Sequence, residues 1–385
     1  MTVDGLRNAA ECRRVSNRLT PRGPHKDERG TTAMASAAEV DAMSRALELA
    51  QSPEVPLGPN PRVGCVLLDS SGETVAEGYH RGAGTPHAEA DALDRAGESA
   101  RGTTAVVTLE PCSHTGRTGP CTQALIDAGV VRVVFAQADP NPAASGGAQV
   151  LSTGGVETEG GLLADEARAV NRVWSFAVEQ RRPFVTWKLA TTLDGRSAAA
   201  DGTSRWITTE PARDDVHRLR SQCDVILAGT GTVLADDPEL TARDTNGEQV
   251  GHQPLRVVMG LSELSAGLRV LNDAAETVVL RTHDPAEALD ALYQRDRQHV
   301  LLEGGPTLAA AFLRARLVDE IVAYVAPALL GSGTSAVADL GITTLDDIVR
   351  LDVHDVTTVG EGADTCVRIT LTPQPAPQES LLREV

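Results

Sequence analysis

The stretch TTAVVTLEPCSHTGRTGPCTQALIDAG, residues 103–129, reads as an apolar, β-branched strand running into Pro111 and Cys112, then an eight-residue polar loop, then a helix opened by Cys121. Strands that hand over to helices in this way build parallel or mixed sheets covered by helices. The alternation continues on both sides. Upstream, Val40, Met43, Ala46, Leu47 and Ala50 recur at helical spacing. PNPRVGCVLLD and TVAEGYH follow as strands, and HAEADALDRAG as a helix with His87 and Glu89 in its first turn and Gly97 at its end. Downstream, VRVVFAQADPNP is a strand ending in a turn-rich loop. A helix over Leu162 to Gln180, with Leu163, Ala167, Val170, Trp174 and Val178 on one face, closes a first α/β unit.

QRRPF is the junction to a second unit that alternates again: strand FVTWKLATTLDG, helix ARDDVHRLRSQ, strand CDVILAGTGTV, strands LRVVMG and TVVLRT, helix PAEALDALYQR, strand HVLLEGG and helix TLAAAFLRARL. Strands near Ile321 and through TCVRITLTP complete it. A chain of 385 residues is long enough for two such domains, expected over residues 34–180 and 181–373. Residues 1–33 carry seven Arg or Lys against four acids with almost no apolar periodicity, so they read as a disordered extension; residues 374–385 read as a loose tail.

The formal charge of −18 opposes non-specific attraction to nucleic acid or anionic membrane. No apolar run approaches the roughly 18 residues that a membrane-spanning helix needs. Six scattered cysteines suit a reducing, cytoplasmic setting with one or two thiols kept for chemistry.

His87, Cys112 and Cys121 form a His and two Cys, one of the ligand sets that leave a catalytic zinc its open position for water. Glu89 lies two residues after the histidine, placed to carry protons rather than to bind metal. This layout belongs to the zinc deaminases, in which the metal acidifies a water that attacks an amino-bearing ring carbon. The rival is a structural zinc, which wants a fourth ligand from His80 or His114.

The segments PNPRVGCV, GYHRGAGTPHAEADAL and TLEPCSHTGRTGPC resemble the deaminase half of the bifunctional riboflavin-biosynthesis deaminase–reductases. That resemblance implies a cytidine-deaminase-like α/β/α zinc domain whose long inter-cysteine loop, with His114 and Arg117, meets a ribose phosphate. It also implies substrate contacts from Asn60, His80, Asp139 and Asn141. Two departures stand out: Asp91 replaces a histidine in HAEADAL, and AASGGA follows DPNP where a basic residue between glycines is usual.

In the second unit, HVLLEGGPTLAAAFL is a strand, a Gly-Gly turn and a helix start, the type of turn that offers backbone N–H groups to a phosphate. KLATTLDGR, SRWIT, GTGTVLADDPELTAR and EGGPTL resemble the reductase half of the same family, similar in fold to dihydrofolate reductase. The resemblance implies NADPH bound by Ala190, Trp206, Thr232, Asp236 and the turn of Gly305, Pro306, Thr307, Leu308, Ala309, Ala310 and Ala311. It implies the phosphorylated ribose at Ser204, Arg220, Leu240, Arg243 and Glu303, with Arg220 and Arg243 suited to bidentate phosphate binding. Trp206 has a rival reading as a core aromatic. A small-molecule pyrimidine ribose-phosphate substrate and assembly of like chains through the reductase domain follow from the same comparison. The competing function is a zinc deaminase for another nucleotide or a nucleic-acid base, with a nucleotide-sensing second domain.

Overall fold

The computed structural model describes residues 35–52, 58–114 and 119–375. The expected extension, Arg117 and residues 376–385 of the tail lie outside these. The described residues from Ser36 onward form one compact unit with two principal sheets.

The chain enters through α1 (Ala37–Ala50), opened by a capping box in which the Ser36 Oγ accepts from the Glu39 N–H and the Glu39 carboxylate accepts from the Ser36 N–H. Then come β1 (Gly64–Leu68), β2 (Thr74–Tyr79), α2 (Ala88–Ala96), β3 (Thr104–Leu109), α3 (Cys121–Ala128), β4 (Arg132–Gln137), α4 (Gly147–Thr153), β5 (Glu157–Gly160), α5 (Ala164–Val170) and α6 (Arg172–Gln180). The first sheet runs β2-β1-β3-β4-β5, antiparallel across β2, β1 and β3 and parallel from β3 to β5. β1 is buried along its whole length because both faces are covered. Val66, Val106 and Val134 pack against α1 and α5, whereas Cys65, Leu67, Val107 and Val133 pack against α2 and α3.

The second part comprises β6 (Phe184–Thr192), β7 (Arg196–Ala198), α7 (Glu210–Ser221), β8 (Val225–Gly229), α8 (Thr230–Asp236), β9 (Leu255–Met259), β10 (Thr277–Leu280), α9 (Pro285–Tyr293), β11 (His299–Leu302), α10 (Pro306–Arg314), β12 (Glu320–Ala326), β13 (Thr334–Ser335), β14 (Leu351–Val359) and β15 (Cys366–Pro373). Its sheet order is β10-β9-β8-β11-β6-β12-β15-β14, parallel from β10 to β12 and antiparallel over the last two strands. α9 and α10 cover one face through Leu289, Leu292, Ala309 and Phe312, and α7 covers the other through Ala212 and Leu219.

Several elements depart from expectation. The helix over Leu162 to Gln180 is two helices, broken at Asn171. The Asn171 side chain accepts from the Arg62 N–H at 2.8 Å and donates to the Arg62 carbonyl at 2.9 Å, and its own backbone (φ −105°, ψ 20°) leaves the helical path. CDVILAGTGTV is not one strand: pairing with β9 ends at Gly229, which becomes the N-cap of α8. α4, β5, β7, β13 and the edge strand β14 have no counterpart in the sequence reading.

Candidate active sites

Two helix starts converge on the first site. His87 is the N-cap of α2 but its ring makes no capping bond, which leaves it facing the cysteines. Cys121 is the first residue of α3 after Pro120. Cys112 follows β3 and Pro111. The His87 Nδ1 lies 3.6 Å from the Cys112 Sγ and 3.3 Å from the Cys121 Sγ, and the three ligand atoms fall within 4.8 Å of one another. Tetrahedral zinc, with bonds of about 2.0–2.3 Å, places its ligand atoms about 3.5 Å apart, so the cluster fits that ion. It is the one group of this kind among the described residues. The hydrogen bond with Cys121 pulls Cys112 down to about 4, against burial and with help from His87, while Cys121 moves up; a metal would take both protons.

Glu89 is buried, and burial raises its carboxyl above the ordinary value, the tuning of a proton carrier. His80 does not line the cavity. It is buried, with its Nδ1 at 2.9 Å from the Pro86 carbonyl and its Nε2 at 2.8 Å from the Asn60 Nδ2. A ring that donates to that carbonyl accepts from Asn60, so His80 orients Asn60 and is spent as a fourth ligand. Asn60 and His114 line a cavity of about 390 Å³ with His87 and Cys112. Asp139 and Asn141 form a turn beside it, the Asn141 N–H donating to Asp139 and the Asp139 N–H to Glu110. Burial, with Glu110 nearby, raises Asp139 to about 6. Asp91 is held by Arg81 at 3.0 Å and Arg95 at 3.1 Å, which explains why an acid is accommodated there.

Glycine sets the depth at which these elements dock. A Cβ on Gly78 of β2 would sit 2.3 Å from the Ala88 carbonyl oxygen, and one on Gly147 of α4 would sit 1.8 Å from the Pro111 oxygen, next to Cys112. Both positions require a bare backbone, at Gly78 for α2 to lie on β2 and at Gly147 for α4 to lie on the turn after β3.

The second cavity, about 1160 Å³, opens at the C-terminal ends of β6, β8 and β11, the usual ligand position in open α/β sheets. Its wall includes Ala190, Ser204, Trp206, Arg220, Thr232, Asp236, Leu240, Arg243, Glu303, Gly305, Pro306, Thr307, Leu308 and Ala311. Ala309 and Ala310 do not reach it: the helical period turns them into the protein interior. Gly305 caps α10 and donates its N–H to the Thr232 Oγ1 at 3.1 Å, joining the two turns that the sequence suggested. Trp206 is 68% exposed beneath the Arg213 guanidinium, which excludes its reading as a core aromatic.

The phosphate-fork role expected of Arg220 and Arg243 differs from their arrangement. Arg220 Nε and Nη2 close on the Glu303 carboxylate at 2.5 and 3.0 Å, and its Nη1 on the Thr241 carbonyl. Arg243 is taken by Glu239 and the Gly247 carbonyl. Glu303 is buried, which alone would raise its pKa, but Arg220 and Lys188 hold it well below the usual carboxylate range. A buried carboxylate needs such partners, and this is what claims the Arg220 fork. Sequence reasoning missed His217, which lines the same cavity with its Nδ1 buried and unpartnered among the described residues; burial lowers its pKa, favouring the neutral ring.

A three-ligand zinc cluster with an adjacent buried glutamate, followed by an α/β domain with a dinucleotide-sized cavity, defines a zinc deaminase joined to a reductase. Residues 37–137 match the profile of the cytidine and deoxycytidylate deaminase zinc-binding region, and residues 183–364 that of the RibD C-terminal domain. Over 321 residues the chain is 50% identical to riboflavin biosynthesis protein RibD of Mycobacterium tuberculosis, covering 83% of this chain and 94% of that one. It is 40% identical over 361 residues to the Escherichia coli K12 protein of the same name, covering 85% and 98%. Among solved structures, Acinetobacter baumannii RibD matches with a TM-score of 0.79 at 36% identity, covering 88% of this chain and 99% of that one. A Thermotoga maritima diaminohydroxyphosphoribosylaminopyrimidine deaminase/5-amino-6-(5-phosphoribosylamino)uracil reductase matches at 0.77 and 32%, with the same coverage. The chain belongs to the RibD family, the bifunctional deaminase and reductase enzymes of riboflavin biosynthesis.

Proposed function

We propose that residues 34–180 deaminate 2,5-diamino-6-(5-phosphoribosylamino)pyrimidin-4(3H)-one and that residues 181–373 then reduce its ribosyl side chain to ribityl. The observation that carries this reading is the His87, Cys112 and Cys121 cluster with Glu89 buried beside it. His87 Nδ1 and the two thiolates would hold zinc, which when bound would supply an acidified water for attack on the amino-bearing carbon. The Glu89 carboxylate would carry two protons in turn, one from the attacking water to the ring nitrogen and a second from the resulting hydroxyl to the departing ammonia. Asn60, held by His80, and His114 offer hydrogen bonds to the pyrimidine and its sugar.

In the second cavity NADPH, when bound, supplies the hydride. The N-terminal turn of α10 offers backbone N–H groups to its pyrophosphate, and Trp206 offers an aromatic face. Glu303, Ser204 and Leu240 line the substrate's portion together with Arg220, which stays on Glu303, while Arg243 exchanges Glu239 for the incoming phosphate.

No helix among the described residues is long and apolar enough to cross a membrane. We assign the enzyme to the cytoplasm, in keeping with five described cysteines that are all free. We also assign it a homo-oligomeric state: Leu345, Val353 and Val356 of the edge-strand region are 83%, 61% and 59% exposed, an apolar surface suited to a second copy.

The test is Cys112→Ser, followed by metal content and both activities. Loss of zinc and of ammonia release, with NADPH-dependent reduction of the deaminated intermediate retained, is the expected result. Full zinc occupancy with normal ammonia release would contradict the assignment.

A further inference from the structure

The cavity at the zinc cluster is not walled by the deaminase domain alone. Pro59, Asn60, Gly84, His87, Cys112 and His114 form one side, and Asp296 and Gln298, from the loop between α9 and β11 of the reductase domain, form the other. Gln298 is anchored rigidly by its backbone. Its N–H donates to the Asp224 carboxylate at 2.8 Å and its carbonyl accepts from the Phe184 N–H at 2.8 Å, which ties it to the head of β6. From that anchor the Gln298 Nε2 reaches across to donate to the Pro59 carbonyl at 2.8 Å. Gly58 packs against the same side chain, since a Cβ there would lie 3.4 Å from the Gln298 Oε1. Pro59 precedes Asn60, Asn60 bonds His80, and the His80 ring stands edge-on to the His87 ring at 5.3 Å between centroids. One continuous line of contacts thus runs from the reductase sheet to a metal-ligand histidine.

We infer that the reductase domain completes the deaminase substrate pocket, with Gln298 as a positioning residue that holds the Pro59–Asn60 loop and Asp296 as a wall residue that accepts hydrogen bonds from the substrate. This inference rests on the proposal that the cavity is the deaminase site. Asp296 adopts a left-handed backbone (φ 58°), with its N–H bonded to the Tyr293 carbonyl, a conformation uncommon for a residue with a side chain. An ionised carboxylate only accepts hydrogen bonds and repels phosphate. Asp296 therefore selects the hydroxyl or amino groups of the substrate, and the phosphate lies away from it. Neither side chain approaches the reductase cavity wall. Their loss acts on substrate binding in the first reaction and leaves the second untouched.

The test uses the full chain with Gln298→Met, which keeps the length of the side chain but not its donor, and Asp296→Ala. Steady-state ammonia release, zinc content, thermal midpoint and NADPH oxidation with the deaminated intermediate are measured for each. Loss of one hydrogen bond predicts a KM for deamination raised roughly tenfold in each variant, with kcat, zinc content and NADPH oxidation unchanged. A KM unchanged in both variants overturns the inference, as does a parallel fall in thermal midpoint and both activities, which marks a purely structural contact. If the wild type itself releases no ammonia, the underlying deaminase assignment falls, and this inference with it.

Discussion

Gly78→Ala would separate the two activities by geometry alone. The added Cβ would stand 2.3 Å from the Ala88 oxygen, 2.4 Å from the Ala92 nitrogen and 3.0 Å from the Ala92 Cα, all backbone atoms of α2. Non-bonded carbon contacts relax at about 3.5 Å, so α2 must lift from β2 by about 1 Å. Ala88 and Ala92 are fully buried there, leaving no flexible side chain to absorb the strain. His87 and Glu89 ride on the start of α2, whereas Cys112 and Cys121 are carried by β3 and α3. The displacement therefore pulls one metal ligand and the proton carrier away from the two thiols. A misplacement of about 1 Å can lower a rate about 100-fold. Overpacking of this kind destabilises by about 1–3 kcal/mol, which a domain of this size survives. The assay pairs ammonia release from the diamino precursor with NADPH-dependent reduction of the deaminated intermediate in one preparation. Deamination about 100-fold slower with reduction unchanged is predicted. Normal deamination, or an equal loss of both activities, would refute the argument.

Three further outcomes follow from the same geometry. Glu303→Gln leaves Arg220 and Lys188 facing a neutral group and lowers stability by about 3–5 kcal/mol in urea unfolding at pH 7.5. Because the Glu303 pKa is depressed on folding, its contribution is present above the ordinary carboxylate value of 4.5 and is lost as pH falls below it; the gap between wild type and variant should therefore narrow below pH 4.5. Chelation of zinc should abolish ammonia release and spare NADPH oxidation, with activity restored by added Zn²⁺. Val353→Asp on the edge strand should shift sedimentation toward a smaller species; an unchanged sedimentation profile would argue against assembly through that surface.

The elements and the zinc cluster were legible because their signals are local. The apolar run of β1, the helical period of α1 and the His, Glu and Cys spacing all lie within short windows. What escaped notice depends on distant partners. Asn171 breaks a helix that its neighbours would continue, since Arg62, 109 positions away, takes its side chain. β14 gains its register only from β15, and its exposed positions carry no clean alternation. The pairing of Arg220 with Glu303, 83 positions on, is invisible at the level of a motif. Gln298 sits in an unremarkable loop whose meaning appears only when the first domain's Pro59 carbonyl is brought to it.

The central claim is that one chain performs two reactions in sequence at two separate sites, with Glu89 essential to the first alone. Its most direct test follows ammonia and NADPH together on the diamino-ribosylamino-pyrimidinone phosphate, for wild type and Glu89→Gln. The account predicts both signals from the wild type, neither from the variant with that precursor, and NADPH oxidation by the variant once the deaminated intermediate is supplied. Normal ammonia release by Glu89→Gln, or none by the zinc-loaded wild type, would contradict it.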